Sequence, residues 1–320
     1  MSLRLALLDQ DSAYEHLFER YSLLQANASQ LQQDLGIISR AAETLELSFD
    51  PVESSHTKDS FSLTLSQSLT GLNSSANNNN STTGYVAWST TPFFLRWLLY
   101  SQSGSCFTQG ANLKMEDGSY LQIPPMFSTR KEHDFYYILE LGSGVAGILS
   151  TVLANYVEKF VCTDQKALLS GLKRNITDNI DEIYLRNVES TTLGSCTTRK
   201  TTSKVLFDIV SLDWETFKPD AGKVDSLLLP SRSGTIYILA MDVVYNDFLI
   251  DPFLKTLHGL MSLYSRLGNT VRSIIGIQLR DQDILQEFLD QAVDKYGLRI
   301  YAVLDPEIYS SRFAFYYISL

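Results

Sequence analysis

The chain predicts an α/β fold: one open, mostly parallel sheet of seven strands with an antiparallel last strand, preceded by a helix and a β-hairpin. Three observations carry that prediction. An apolar run at residues 135–141 passes into Gly142-Ser143-Gly144-Val145-Ala146-Gly147 and then into a helical stretch at 148–156. Apolar segments of strand length then alternate with amphipathic helical segments as far as residue 296. Two strand-like segments end the chain, 298–304 and 313–318, with only a short turn between them, so they must be antiparallel neighbours or near neighbours.

The glycine turn is the most specific element. Gly-x-Gly-x-x-Gly after a buried strand turns the backbone sharply and lets a ligand approach with no Cβ in the way. Nicotinamide enzymes use the same turn to seat a pyrophosphate. Glu140, two residues before Gly142, discriminates between ligands. A carboxylate there faces a cationic or hydrogen-bond-donating group, which suits an amino acid–nucleoside better than a diphosphate. Glu140, Gly142, Ser143 and Gly144 are therefore expected around a ligand, and Gly144→Val is expected to block it without unfolding the chain. A tight turn with no ligand is the structural alternative.

Composition bounds the partners. A chain of 320 residues with a net charge of -10 does not suit direct nucleic-acid binding, which wants a basic face. An acidic surface suits a basic partner. Cys106, Cys162 and Cys196 form no paired spacing and read as reduced thiols, and the four scattered histidines predict no metal site. No apolar run reaches membrane-spanning length, and the start lacks the basic segment of a signal peptide. A cytoplasmic monomer is expected, with the nucleus also compatible.

Residues 1–80 read as an N-terminal extension and 81–320 as the ligand-binding domain. Tyr14, Leu17, Phe18, Tyr21 and Leu24 recur at helical spacing over 11–27, and a second helical patch is expected at 31–38 despite Gly36. Leu45, Leu47 and Phe49, then Phe61, Leu63 and Leu65, alternate with polar residues as a long-looped hairpin. Residues 73–83 are too polar to bury and read as a loop. Ser89-Thr90-Thr91-Pro92 starts a helix whose apolar stripe includes Trp97, expected in the core. Trp88, ahead of that helix, is the candidate ligand-facing aromatic. Residues 104–122 read as a loop excursion.

Past the glycine turn, the strand at 160–164 ends on Asp164, about 20 residues beyond the glycines, where an acid accepts ribose hydroxyls. Its alternative role is to cap the helix carrying Leu168, Leu172 and Ile176. After a Ser/Thr-rich loop at 189–204, the strand at 205–212 is closed by Asp213-Trp214. Trp214 either covers an aromatic ligand ring or is structural. The strand at 235–240 runs into Met241-Asp242-Val243-Val244-Tyr245-Asn246, placing an acid where open α/β sheets put ligand-facing groups. A helix at 249–263, a strand at 273–279 and a helix at 283–296 follow.

These pieces together resemble the seven-strand protein lysine methyltransferases marked by an Asp-x-x-Tyr motif. The matching segments are Thr83-Gly84-Tyr85 with Trp88 and the following Ser-Thr-Thr-Pro-Phe-Phe, Glu140-Leu141-Gly142-x-Gly144, Thr163-Asp164-Gln165-Lys166, Leu212-Asp213-Trp214, Asp242-Val243-x-Tyr245-Asn246 and Asp251-Pro252-Phe253. They span most of 83–320, and Tyr14-Glu15-His16 with Phe18-Glu19-Arg20-Tyr21 also fits. Ser143 stands where the pattern often has Ala, and the segment between Asp164 and Asp213 is short, so contacts from that loop do not carry over.

The resemblance implies a class I (Rossmann-like) seven-strand methyltransferase sheet and transfer of a methyl group from S-adenosylmethionine to a protein lysine, with a large-subunit ribosomal protein as substrate. It implies cofactor contacts from Trp88, Glu140, Gly142, Ser143, Gly144, Asp164, Trp214 and Met241. Asp242 is expected to anchor the amine and Tyr245 to shape the mouth. A methyltransferase-fold interaction module without catalysis stands as the alternative. Methylation of a nucleic acid or small molecule is another, although Asp242-Val243-Val244-Tyr245 is not the Asn/Asp-Pro-Pro-aromatic motif of many DNA and RNA amine methyltransferases.

Overall fold

The computed structural model describes residues 3–26, 36–73, 82–128, 135–194, 197, 199, 201–219 and 224–320. Strand β1 (Arg4–Leu8) and helix α1 (Gln10–Ala26) lead to the hairpin β2 (Thr44–Phe49) and β3 (Phe61–Ser66). Helix α2 (Thr90–Tyr100) precedes a second hairpin, β4 (Ala111–Lys114) and β5 (Tyr120–Ile123). Next come β6 (Tyr136–Leu141), α3 (Ile148–Leu153), β7 (Lys159–Asp164), α4 (Leu169–Asp178), β8 (Asn187–Glu189) and β9 (Lys204–Ser211). The chain closes with β10 (Thr235–Met241), α5 (Asp247–Arg266), β11 (Thr270–Gln278), α6 (Gln282–Asp290), β12 (Arg299–Leu304) and β13 (Phe313–Ser319).

The main sheet has nine strands in the order β1-β12-β13-β11-β10-β6-β7-β9-β8. Strands β6 to β11 pair parallel, and β13 inserts antiparallel between β11 and β12. The fold is the mixed α/β class expected, with the seven strands at β6, β7, β9, β10, β11, β12 and β13. Two more join at the edges: β1 on β12, and the three-residue β8 on β9. Every residue of β6 is buried, because helices cover both faces of the parallel centre. One core holds α2 and α3 and includes Trp97, which stacks on Phe315 at 5.9 Å; the other holds α5 and α6.

The described part of the first 80 residues is tied to this sheet. β1 forms its edge, and α1 buries Arg20, whose guanidinium donates to the carbonyls of Ile308, Ser311 and Phe313 at 3.1, 3.0 and 2.8 Å. The β2–β3 hairpin packs its alternating Leu and Phe residues inward, in the register Leu45–Leu65, Leu47–Leu63 and Phe49–Phe61. Its outer edge is completed by side chains. Glu182, Asn179 and Asn175 accept the N–H groups of Ser62, Thr64 and Ser66 at 3.0, 2.9 and 2.7 Å. Four helical residues advance about 6 Å and two strand residues about 6.6 Å, so helical asparagines four apart match alternate strand amides.

Several boundaries differ from expectation. Most of the helical patch expected at 31–38 and most of the polar loop at 73–83 lie outside the described residues. Of the former, Ile37 pairs as an antiparallel bridge with Trp88. The excursion at 104–122 contains a helical turn, Ser105–Thr108, and the β4–β5 hairpin. Helix α5 starts two residues early because Asn246 caps it, accepting the Phe248 N–H at 2.9 Å. A four-residue helix, Pro306–Tyr309, lies between the last two strands.

Candidate active site

The parallel strands wind outward from β6. The chain lays β7 and then β9 on one side and returns to place β10 on the other. Loops leaving the carboxyl ends of β6 and β10 therefore diverge, and such a switch point leaves a crevice. The cleft found there encloses about 920 Å³ of space between atoms, the open solvent at its mouth included. All ten residues singled out from sequence line it: Trp88, Glu140, Gly142, Ser143, Gly144, Asp164, Trp214, Met241, Asp242 and Tyr245.

Glu140 lies one residue before the end of β6, with Oε2 buried and without a well-formed hydrogen bond. Burial pushes its pKa up to about 8, and the charge of Asp164 adds to this. The hydroxyl of Ser143 and the indole N–H of Trp214 are likewise buried without a partner. Orphaned polar atoms on the wall of one cleft are what a polar ligand would satisfy.

Asp164 ends β7. Its Oδ2 accepts the Gly144 N–H at 2.7 Å and its Oδ1 accepts the Gln165 N–H at 2.7 Å. Burial raises its pKa to about 6 against the pull of those two amides. The helix-cap role does not hold, because α4 begins at Leu169 with Leu168 in the cap position and no side-chain cap.

All three glycines of the turn have left-handed backbone, φ +73° at Gly142, +58° at Gly144 and +63° at Gly147. A Cβ on Gly144 would lie 3.1 Å from the Gly84 carbonyl, which already accepts the Val145 N–H at 2.9 Å. The expectation that Gly144→Val blocks a ligand without cost to the fold needs correcting. A side chain there strains the turn and pushes on the 82–86 backbone before it meets any ligand.

Trp97 is fully buried in the core, whereas Trp88 and Trp214 border the cleft. Trp88 Nε1 donates to the Thr83 carbonyl at 2.9 Å, and Thr83 Oγ1 donates to the Tyr245 hydroxyl at 3.0 Å.

Asp242 sits in a different electrostatic setting from the one its sequence position suggested. Its side chain is 0% exposed and is gripped by Arg280, whose Nη1 donates to Oδ1 at 3.0 Å while Nη2 donates to Oδ2. Sequence reasoning missed Arg280. The one available signal was its place two residues beyond β11, the strand next to β10.

Comparison with known proteins follows the same line. No protein-family model matches the chain. Ribosomal lysine N-methyltransferase 5 of Lachancea thermotolerans is 51% identical over 332 residues, covering 100% of this chain and 99% of that protein. The chain belongs to the ribosomal lysine N-methyltransferase 5 family. Proteins of the same name from Vanderwaltozyma polyspora and a Saccharomyces cerevisiae strain are 41% and 36% identical, covering 97% and 100% of this chain and 98% and 100% of the relatives. As a member of that family the chain is a methyltransferase. Among solved structures, an O-methyltransferase family 2 protein from Planctomyces limnophilus overlaps at a TM-score of 0.35 with 12% identity, over 62% of this chain and 55% of that one. That overlap is too remote to transfer any function.

No helix of the described residues is long and apolar enough to cross a membrane. Among the described residues, no cluster of three or more His, Cys, Asp and Glu side chains could hold a metal ion.

Proposed function

We propose that the chain transfers a methyl group from S-adenosylmethionine to the ε-amine of a lysine in a large-subunit ribosomal protein. The observation that carries this is the buried Glu140 carboxylate, its Oε2 without a well-formed hydrogen bond, at the switch point of a chain aligned end to end with relatives named for ribosomal lysine methylation. The cleft's chemistry fits the cofactor. Glu140 supplies a counter-charge for its cationic amino group, Asp164 keeps lone pairs for ribose hydroxyls, and Trp214 offers a ring face and an N–H. Gly142, Ser143 and Gly144 bring backbone close to it, with Trp88 and Met241 completing the wall.

Bound S-adenosylmethionine supplies a methyl group on a positively charged sulfur that leaves as a neutral thioether. The chain's own task is then to orient an amine in line and exclude water. Lysine, with a free pKa of about 10.4, must also arrive uncharged or shed a proton. Asp242 and Tyr245 form the substrate side in this reading: Tyr245 is half-buried at the cleft, and Asp242 lies beside it in its pair with Arg280. A net charge of -10 suits approach by a basic protein and not direct contact with nucleic acid.

The test is methyl transfer from labelled S-adenosylmethionine to ribosomes from cells lacking the enzyme. Label on a lysine of one large-subunit protein is the expected result. Tight cofactor binding with no labelled protein would instead leave an interaction module, and label confined to RNA would overturn the substrate class.

A further inference from the structure

Asp242 is the sole non-glycine residue with positive φ, +62°, among the described residues. Such backbone persists only where its surroundings over-determine it. Here the surroundings are specific. The Asp242 N–H donates to the Gly276 carbonyl at 2.7 Å, Oδ1 accepts the Gln278 N–H at 3.2 Å and a bond from Arg280 Nη1, and Oδ2 accepts from Arg280 Nη2. The same guanidinium lies over the Trp88 indole, 4.8 Å from the ring centroid. Trp88 holds Thr83, and Thr83 holds Tyr245. A circuit of contacts thus leaves the Asp-x-x-Tyr motif at its first residue and re-enters it at its last.

We infer that Arg280 is a positioning residue for methyl transfer, an inference that rests on the function proposed above. Arg280 is not among the cleft-lining residues. It acts through Asp242, fixing the strained turn whose Val243 and Tyr245 line the cleft, and through Trp88, which holds Thr83 beside Tyr245. The bidentate fork and the ring stack both need a planar guanidinium. Charge matters as well. A bare buried carboxylate would hold an incoming lysine as unreactive ammonium, whereas the compensated pair leaves the uncharged amine free to attack.

The experiment compares Arg280→Ala, Arg280→Lys, Asp242→Asn and the double variant Asp242→Asn/Arg280→Ala, reading kcat, KM for the protein substrate, affinity for S-adenosylhomocysteine and tryptophan emission. In Arg280→Ala, kcat should fall about a hundredfold while cofactor affinity stays within about threefold. The double variant should lose no more than the worse single one, because both act through one pair. Arg280→Lys should recover about tenfold of the loss, since it restores charge without fork or stack. Trp88 emission should change in Arg280→Ala. Wild-type kcat and KM in Arg280→Ala, losses that multiply in the double variant, or an equal loss of cofactor affinity would each overturn the inference. Should Arg280→Ala fail to fold, wild-type kcat in Arg280→Lys would overturn it. A wild-type protein that labels no ribosomal protein would defeat the proposed function itself, a result separate from any variant.

Discussion

The carboxylate of Asp164 holds the amide of Gly144 at 2.7 Å, so the end of β7 fixes the turn that follows β6. Oδ1 takes the Gln165 amide, and a carboxylate offers about four lone-pair sites, so roughly two remain for ligand hydroxyls. Asp164→Ala should therefore lose the turn and the ligand contacts together. Affinity for S-adenosylhomocysteine is expected to weaken by about 10- to 100-fold, the size of one or two charge-assisted bonds. Calorimetry measures it. A variant that binds within twofold of wild type would remove Asp164 from the cofactor site.

Burial holds the pKa of Glu140 at about 8 and that of Asp164 at about 6, against ordinary values of 4.5 and 3.8. A raised acid pKa means that the folded chain keeps a proton the unfolded chain releases. The stability these groups contribute is thus fully present below their ordinary values and is lost as pH rises through the raised ones. The ligand-free protein should lose stability from about pH 4 to about pH 8, at most about 1.4 kcal/mol per pH unit for each group. Glu140→Gln should flatten the part between about pH 6 and pH 8. Thermal unfolding across that range decides it, and identical slopes in variant and wild type would show that Glu140 is not the titrating group. Cofactor binding should run the other way, strengthening as pH rises toward about 8 and releasing a proton, because the cationic amine needs the carboxylate ionised.

The parallel centre was legible in the sequence because strands buried on both faces leave continuous apolar runs, and the residues that end them line the cleft. Asp242 was found that way. Arg280 was not, since Leu279-Arg280-Asp281 looks like any strand-to-helix connection. What brings Arg280 to Asp242 is the parallel register of β10 with β11, which sets Met241 opposite Gly276 and so gathers the residues beyond both strand ends. β8 escaped notice because three residues show no period. The ladder from Asn175 and Asn179 to the hairpin edge was hidden for another reason: helical and extended spacings coincide only once β3 is docked on α4.

Gly144→Ala tests whether the turn or the ligand limits that position. A left-handed φ costs an L-residue about 1–2 kcal/mol, and the Gly84 carbonyl at 3.1 Å must also give way. The melting temperature should fall by about 1.5 °C for each kcal/mol, and further in Gly144→Val. Scanning fluorimetry with and without S-adenosylhomocysteine separates the effects. Full thermal stability together with abolished binding would return the position to a purely ligand-facing role.

Thr83 and Tyr245, both lining the cleft, are joined by a hydrogen bond of 3.0 Å. Tyr245→Phe removes the acceptor and keeps the ring, whereas Tyr245→Ala removes both. If Tyr245 shapes the mouth mainly by its ring, Tyr245→Phe should cost what one part-buried hydrogen bond is worth, about 0.5–1.5 kcal/mol. That is about a 2- to 12-fold rise in KM for the protein substrate, with cofactor affinity unchanged. Thr83→Val should reproduce the effect, and adding it to Tyr245→Phe should cost nothing more, because both remove the same bond. Tyr245→Ala should lose a further tenfold or so from the missing ring surface. Steady-state kinetics on the four proteins decides between shape and chemistry. If Tyr245→Phe lowers kcat as far as Tyr245→Ala does, the hydroxyl takes part in the reaction. Tyr245, rather than the buried Asp242, would then be the group nearest the proton that the lysine must lose.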